Sequence, residues 1–585
     1  MEHTEAKREW PLLLALALMG LGIFFYRLGA PGLMDPDEGR YAEIAREIFV
    51  WRDWLIPHLN SLPYLEKPPL VYWLTALSFG GLGYTELAAR LPAALSALGG
   101  IFLVYGLGRA FWGARPGFIS ALVLATSLGY VALGRVLTLD MTFSCLLSLG
   151  IGLGYLALSR ERPHLWPWAY LALALAVLTK GPVAVVLAAL IWGIWALFPG
   201  GEAGAVHPHP SPPPSRGREQ EEGASSSPPQ PFPLQGEGVK GSAYVRLGLL
   251  YQPRAWLLLG VITLPWFAWV IWRYPQFGRF FFLEQHLGRY LTAASHPQPF
   301  YYYWPVLLGL LLPWTWLLPW ALLKGRGADQ DRTFVLLWAG VILVFFSLSR
   351  GKLAPYILPA LPPLALLLGQ ALNGFKEAGR RIFTERGLAL SLVAWAATAW
   401  GLAALYFWPP AFMASQWDRG AILGPCLPLS LIVLALTPTA VLLSRRLEML
   451  GVGALLLALL LPLGLERVSA QRSPSPLGQA VKARWQPGAA LVGVHLYSQA
   501  MSFYSGQVFH LLSFRTELDF GRRLQPESGL FFRTLEEMAA FAASRPAVFF
   551  FLKAQDLSML KEALPGKYQP LGLYKDCLLL AYEGK

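Results

Sequence analysis

The strongest constraint on this chain is a series of apolar runs, such as Pro11 to Phe25, Ala172 to Leu178 and Leu429 to Leu443, that carry few or no charges. Many approach the roughly 20 residues a helix needs to cross about 30 Å of hydrocarbon. With 55% hydrophobic residues over 585 positions, the apolar surface exceeds what one water-soluble core buries, so lipid is the solvent for most of it. The first run is read as a retained helix, because no small-residue cleavage pattern follows Leu28 and further spans come after it.

On a roughly 20-residue yardstick, hydropathy predicts about 13 spans. They fall near 10–28, 86–108, 116–134, 139–158, 164–179, 182–198, 254–272, 300–323, 333–349, 355–372, 387–408, 421–443 and 447–465. The eighth is interrupted by Pro305 and Pro313.

The net charge of +13 does not indicate nucleic acid, because Lys and Arg are spread over short loops. With the N-terminus inside, the cytoplasmic loops hold Lys7, Arg8, Arg109, Arg115, Arg160, Arg162, Lys324, Arg326, Lys376, Arg380, Arg381, Arg386, Arg445 and Arg446. That distribution follows the positive-inside rule. The three cysteines are far apart in sequence and support neither a disulfide framework nor a thiolate zinc site.

Two segments stand outside this pattern. Residues 200–243 are rich in Pro, Gly, Ser and Glu and read as a disordered cytoplasmic insertion. From 467 to 585 the hydropathy falls, and short runs at Ala489 to Val494 and Ala547 to Phe551 alternate with helical patterns such as Leu535 to Ala543. The expected organisation is a membrane domain over 1–466 with an external loop at 29–85, followed by a small α/β domain over 467–585, placed outside by the odd number of spans.

Polar groups collect in the loops opposite the basic ones. The first reads Asp-Pro-Asp-Glu-Gly-Arg-Tyr-Ala-Glu-Ile-Ala-Arg-Glu-Ile from Asp35, an amphipathic pattern in which Asp37 has the makings of an N-cap. Tyr64-Leu-Glu66-Lys67-Pro-Pro sets a carboxylate and an ammonium against a double proline, where an interfacial snorkelling pair is the plainer alternative. Asp140 sits at a span edge, where a carboxylate is a helix cap or a functional group. Lys180 in Thr-Lys-Gly-Pro and Lys352 in Gly-Lys-Leu-Ala-Pro-Tyr place cations beside Gly and Pro, suited to anchoring helices or to binding phosphate. His286 lies in the aromatic stretch Phe280 to Tyr290, without helical two-ligand spacing to Glu284.

Taken in order, Asp37-Glu38-Gly39-Arg40-Tyr41, Tyr64-x-Glu66-Lys67-Pro68-Pro69, Asp140, Thr179-Lys180-Gly181-Pro182, His286 and Gly351-Lys352-Leu353-x-Pro355-Tyr356 resemble the polytopic lipid-linked glycosyltransferases of GT-C type. The resemblance is to the bacterial branch that contains aminoarabinose transferase of lipid A and protein mannosyltransferase-like enzymes, and it covers about the first 370 residues apart from the insertion. It implies a GT-C fold in the bacterial plasma membrane with an external cavity, a polyprenyl-phosphate sugar as donor, and a lipid or protein acceptor among membrane lipids. It assigns Asp37 and Asp140 as catalytic and Arg40, Tyr41, Lys67, Lys180 and Tyr356 to the donor phosphate. Glu38, Tyr64 and Lys352 become substrate-binding, and Glu66 with His286 become ligands of a divalent metal, zinc or magnesium. Direct attack with inversion is expected, since no protein nucleophile is evident. Two other readings are a protein O-mannosyltransferase-like enzyme and, from a different class, a transporter or flippase. Against the latter, the polar groups cluster on one face and no repeated broken-helix pair is visible.

Overall fold

Helix boundaries follow local chemistry. Thr85 accepts from the Ala88 N–H at 3.2 Å and opens the Glu86–Trp112 helix, and Gly113, with φ of 100°, closes it. The computed structural model describes residues 2–197, 250–292, 296–324, 329–378, 382–408, 424–514 and 517–583. The segment expected to be an insertion, 200–243, lies outside the described residues.

Each of the thirteen expected spans falls on a helix, but their lengths differ from the expectation. Among the described residues eight helices are long and apolar enough to cross a membrane, and a bent pair adds a ninth. The helices Glu9–Phe25, Ala114–Ala125 and Val183–Leu197 are shorter. The single span expected at 116–134 is two helices, Ala114–Ala125 and Leu128–Leu133. The Thr126 and Ser127 hydroxyls bond the Leu122 and Val123 carbonyls, both at 2.7 Å, and compete with the helical ladder at the break. The eighth span bends by 112° between Phe300–Leu310 and Trp314–Leu323, at Pro313, which has no N–H to give.

Burial sorts the bundle into centre and rim. The Leu139–Ser159 and Ala354–Glu377 helices are enclosed, whereas Pro253–Arg273, Arg386–Phe407 and Cys426–Ser444 are mostly uncovered. Outward-facing Leu257, Val261, Leu264 and Leu402 belong to these rim helices. In a chain of this composition that surface is satisfied by hydrocarbon.

One end of the bundle carries ordered loop structure. Residues 29–85 form the Asp37–Trp51 helix, a hairpin of β1 (His58–Leu59) and β2 (Leu62–Pro63), and the Leu70–Leu82 helix. The two turn residues, Asn60 and Ser61, have φ of 53° and 64°, the left-handed pair that a two-residue hairpin requires.

Over this loop sits a six-stranded sheet ordered β5-β4-β3-β6-β8-β7. β3 (Ala490–Val494), β4 (Phe509–Leu512), β5 (Phe531–Phe532) and β6 (Val548–Lys553) run parallel, and β7 (Lys567–Tyr574) and β8 (Cys577–Glu583) are antiparallel. β3 is buried throughout, as a parallel strand covered on both faces must be. The Leu535–Ala543 helix packs with one core cluster, and the other face shares a core with Ile44, Ile48 and Tyr72 of the loop. Asn60 fixes the joint by giving to the Phe509 carbonyl at 2.9 Å and accepting from its N–H at 2.7 Å.

Candidate active site

The expected residues meet where the loop, the bundle end and the sheet come together. Asp140 lies in the first turn of the Leu139–Ser159 helix, where the helix dipole favours a carboxylate. Lys180 ends the neighbouring Trp166–Lys180 helix. Their side chains form an ion pair, and the Lys180 ammonium lies 4.4 Å from the centre of the Tyr356 ring and 5.4 Å from that of Phe143. Asp140 is thus no N-cap; that position belongs to Thr138.

Asp37 is not a cap either. The N-cap position is Pro36, and the Asp37 carboxylate instead meets Arg40 at 3.5 Å, one turn along. The protein around it raises the proton affinity of Asp37, Arg40 opposes this, and the charges of Asp140, Glu517 and Glu38 add to it. Its side chain remains 57% exposed.

A cavity of 390 Å³ opens beside the pair. Its polar end is lined by Lys67, Lys180, Arg289 and Lys352, and its walls by Val183, Val186, Phe282, Leu287, Phe345 and Phe346. Val186, Phe282 and Leu287 are also exposed on the outside of the bundle, so the groove opens toward the surrounding lipid. Burial pushes the Lys67 ammonium down to about 8, with Arg289 and Lys180 acting in the same sense and Glu66 against it.

Three expected roles are redrawn by the contacts. Glu38, expected to bind substrate, is 2% exposed and grips Arg90 with both oxygens at 2.7 and 2.8 Å, while accepting from the N–H groups of Leu137 and Met34. Its acceptor capacity is taken, so it braces the loop. The Lys352 ammonium gives to the Gln298 and Ser349 carbonyls; it lines the groove but also ties two loops together. Tyr64 is buried and gives to Glu66 at 3.3 Å, and half-buried Tyr41 lies against Tyr72 with ring centres 5.8 Å apart.

The expected metal pair, Glu66 and His286, gains no third protein ligand among the described residues. Among the described residues no three His, Cys, Asp or Glu side chains converge on one point. His286 faces the Phe281 carbonyl at 2.7 Å and the Lys180 carbonyl at 3.3 Å, and Glu66 faces Arg289 at 3.7 Å. Burial lowers the His286 proton affinity, as does the charge of Lys67. The imidazole therefore props the Lys180 turn.

That turn requires glycine. Gly181 has φ of 92°, and a Cβ there would come within 2.4 Å of His286 Nε2. Gly181→Ala is expected to cost more than about 1 kcal/mol of stability and to displace Lys180 from its pair with Asp140, read as a lower melting temperature.

Sequence reasoning missed two members of the site. Arg289 lies inside the aromatic stretch already singled out, where a cation among aromatic residues was the available signal. Glu517, 3.6 Å from Arg40, gave no signal, because it belongs to the distant α/β segment.

The architecture is shared with a known structure. ArnT from Cupriavidus metallidurans, in a crystal structure bound to undecaprenyl phosphate, superposes with a TM-score of 0.79 at 23% identity, covering 97% of each chain; its apo form gives 0.78. The fold defines a multi-pass membrane protein of GT-C type with an α/β domain at one end. Residues 66–210 match the family described as dolichyl-phosphate-mannose-protein mannosyltransferase, and 477–568 match the aminoarabinose transferase C-terminal domain. The undecaprenyl phosphate-alpha-4-amino-4-deoxy-L-arabinose arabinosyl transferase 2 of Pseudomonas fluorescens is 32% identical over 399 residues, 66% of this chain and 62% of that protein. The corresponding transferase of Serratia proteamaculans is 32% identical over 368 residues, 62% of this chain and 59% of its own length. The match thus spans about three fifths of these relatives. The chain thus shares the fold of that structure, and its sequence is similar to aminoarabinose transferases over about two thirds of its length.

Proposed function

We propose that this protein transfers a sugar, with inversion, from undecaprenyl phosphate to a lipid A-like acceptor on the extracytoplasmic face of the bacterial inner membrane. The observation that carries the reading is the groove, cationic at one end and apolar and lipid-facing along its walls. A polyprenyl phosphate has the same two parts. The names of the relatives and the ligand of the solved neighbour point to the same donor. Orientation is supported by Arg109, Arg160, Lys376 and Arg445, which terminate helices at the end opposite the site, where Arg109 also pairs with Glu9 near the N-terminus.

In this reading the acceptor oxygen forms a bond to the anomeric carbon as the bond to the donor phosphate breaks. The electron pair leaves on the phosphate oxygen, and Lys67, Lys180 and Arg289 stabilise the growing charge. Asp37 takes the acceptor's hydroxyl proton when there is one, and orients the acceptor when it is itself a phosphate. Asp140 fixes Lys180, whose ammonium also rests on the Tyr356 ring.

The test is label transfer from undecaprenyl-phosphate aminoarabinose and a panel of undecaprenyl-phosphate hexoses to membrane lipid and protein fractions. Label in the lipid fraction is expected; label only in protein would favour the protein mannosyltransferase reading, and none in either would end this one. Donor binding also carries a pH signature. The Lys67 ammonium loses its proton as pH rises through about 8, so undecaprenyl phosphate affinity should weaken across that range. Lys67→Arg, charged throughout, should flatten the profile, as measured by ligand binding from pH 7 to 9.

A further inference from the structure

The α/β domain does more than cover the site. Glu517 precedes its Asp519–Leu524 helix and presents one carboxylate oxygen to Gln499 and the other to Arg40, at 3.6 Å. Arg40 is 15% exposed and stands between this carboxylate and that of Asp37, at 3.5 Å, with its Nε buried and without a hydrogen bond. One guanidinium is therefore shared between two carboxylates and closed fully onto neither.

A second set of contacts fixes this geometry independently. Asp35, two residues before Asp37, accepts from the Ser498 hydroxyl at 2.5 Å and the Ala500 N–H at 2.8 Å, at the capped first turn of the Gln499–Ser505 helix that follows β3. Gln499, which holds Glu517, lies between them. A Cβ on Gly39 would come within 2.3 Å of the Ala500 nitrogen, so only glycine lets the Asp37–Trp51 helix approach that turn so closely. The same short turn thus sets the start of the helix that carries Asp37 and Arg40, and sets Glu517 opposite them.

We propose that Glu517 is a positioning residue of the active site, holding Arg40 off Asp37 so that the Asp37 carboxylate stays available to the acceptor. The inference rests on the role given to Asp37 above. Without the Glu517 charge, Arg40 closes onto Asp37, and the carboxylate becomes a weaker base and a poorer partner for an incoming hydroxyl. The charges that act on Asp37 are Arg40 and Glu38 on its own helix, Asp140 on the Leu139–Ser159 helix, and Glu517, and the phenols of Tyr41, Tyr72 and Tyr356 also feel its charge.

Glu517→Gln keeps the shape and the contact with Gln499 while removing the charge. The full-length protein is compared with Glu517→Gln, Arg40→Gln and the double variant by two readouts. The first is an infrared titration of the Asp37 carboxyl, identified by the band lost in Asp37→Asn; the second is label transfer from undecaprenyl-phosphate aminoarabinose to lipid A. In Glu517→Gln the Asp37 titration should move to lower pH, and kcat should fall roughly tenfold, within the range for coupled neighbours. With Arg40 already replaced, the same change should shift the titration far less and leave kcat nearly as it was. An unmoved titration, or equal effects with and without Arg40, overturns the proposal, because a merely structural Glu517 acts independently of Arg40. Absence of transfer by the wild-type protein would instead remove the functional reading, and the titration would still decide whether Glu517 controls Arg40.

Discussion

Asp37→Asn is expected to lower kcat/KM for sugar transfer by about 10²- to 10⁴-fold while leaving undecaprenyl phosphate binding close to wild type. The two acidic groups assigned to catalysis are not equivalent. Asp140 is paired with Lys180, and losing its charge releases a lysine that lines the groove proposed for the donor. Among the described residues Asp37 has a loose contact with Arg40, and it is more than half exposed. Its proton affinity is raised, chiefly by the surrounding protein, so the group charges at higher pH than a free aspartate. Activity should accordingly fall as pH drops through that raised value, and this acid limb should vanish in Asp37→Asn. Asp140→Asn should act mainly on KM for the donor. A pH-rate profile for each variant, with expression and melting temperature as controls, separates the two roles; equal profiles would remove the division of labour.

The largest stability effect is expected at Glu38. Glu38→Gln should cost about 3–5 kcal/mol, the range for removing one partner of a buried ion pair, because Arg90 then keeps its charge in a site only 1% exposed. Arg90 also gives to the carbonyls of Leu28, Pro31 and Gly32, so it cannot turn away to find water. The Leu137 N–H also loses its charged acceptor. A melting temperature within a degree or two of wild type in detergent would show that the pair contributes little. Had Glu38 been a substrate ligand, its replacement would raise KM and leave the melt unchanged.

Glu38 shows how far local sequence could lead. Its neighbours in the motif, Asp37 and Arg40, pair with each other, and nothing in the sequence separates them from Glu38. The helix turns each successive side chain by about 100°, and the structure sends Glu38 inward to an arginine on another helix. Lys352 and His286 repeat the lesson, since their polar atoms go to backbone carbonyls whose positions depend on the tertiary arrangement. The hydropathy of 116–134 was legible as apolar, but not the break at Thr126–Ser127, where hydroxyls that read as ordinary span residues bond the backbone.

The sequence alone determined that the chain lives in lipid, which end of the bundle gathers polar groups, and that short strands and helices follow the last span. These are matters of composition and period, because burying apolar surface and satisfying backbone polar groups act on every residue locally. Only the tertiary structure decided which charges meet. The meetings of Lys180 with Asp140, Glu38 with Arg90, Arg289 with Glu66 and Glu517 with Arg40 join residues far apart in the chain. Electrostatic pairing falls off with distance through space and is indifferent to separation along the chain, so its partners are fixed when the elements pack and not before.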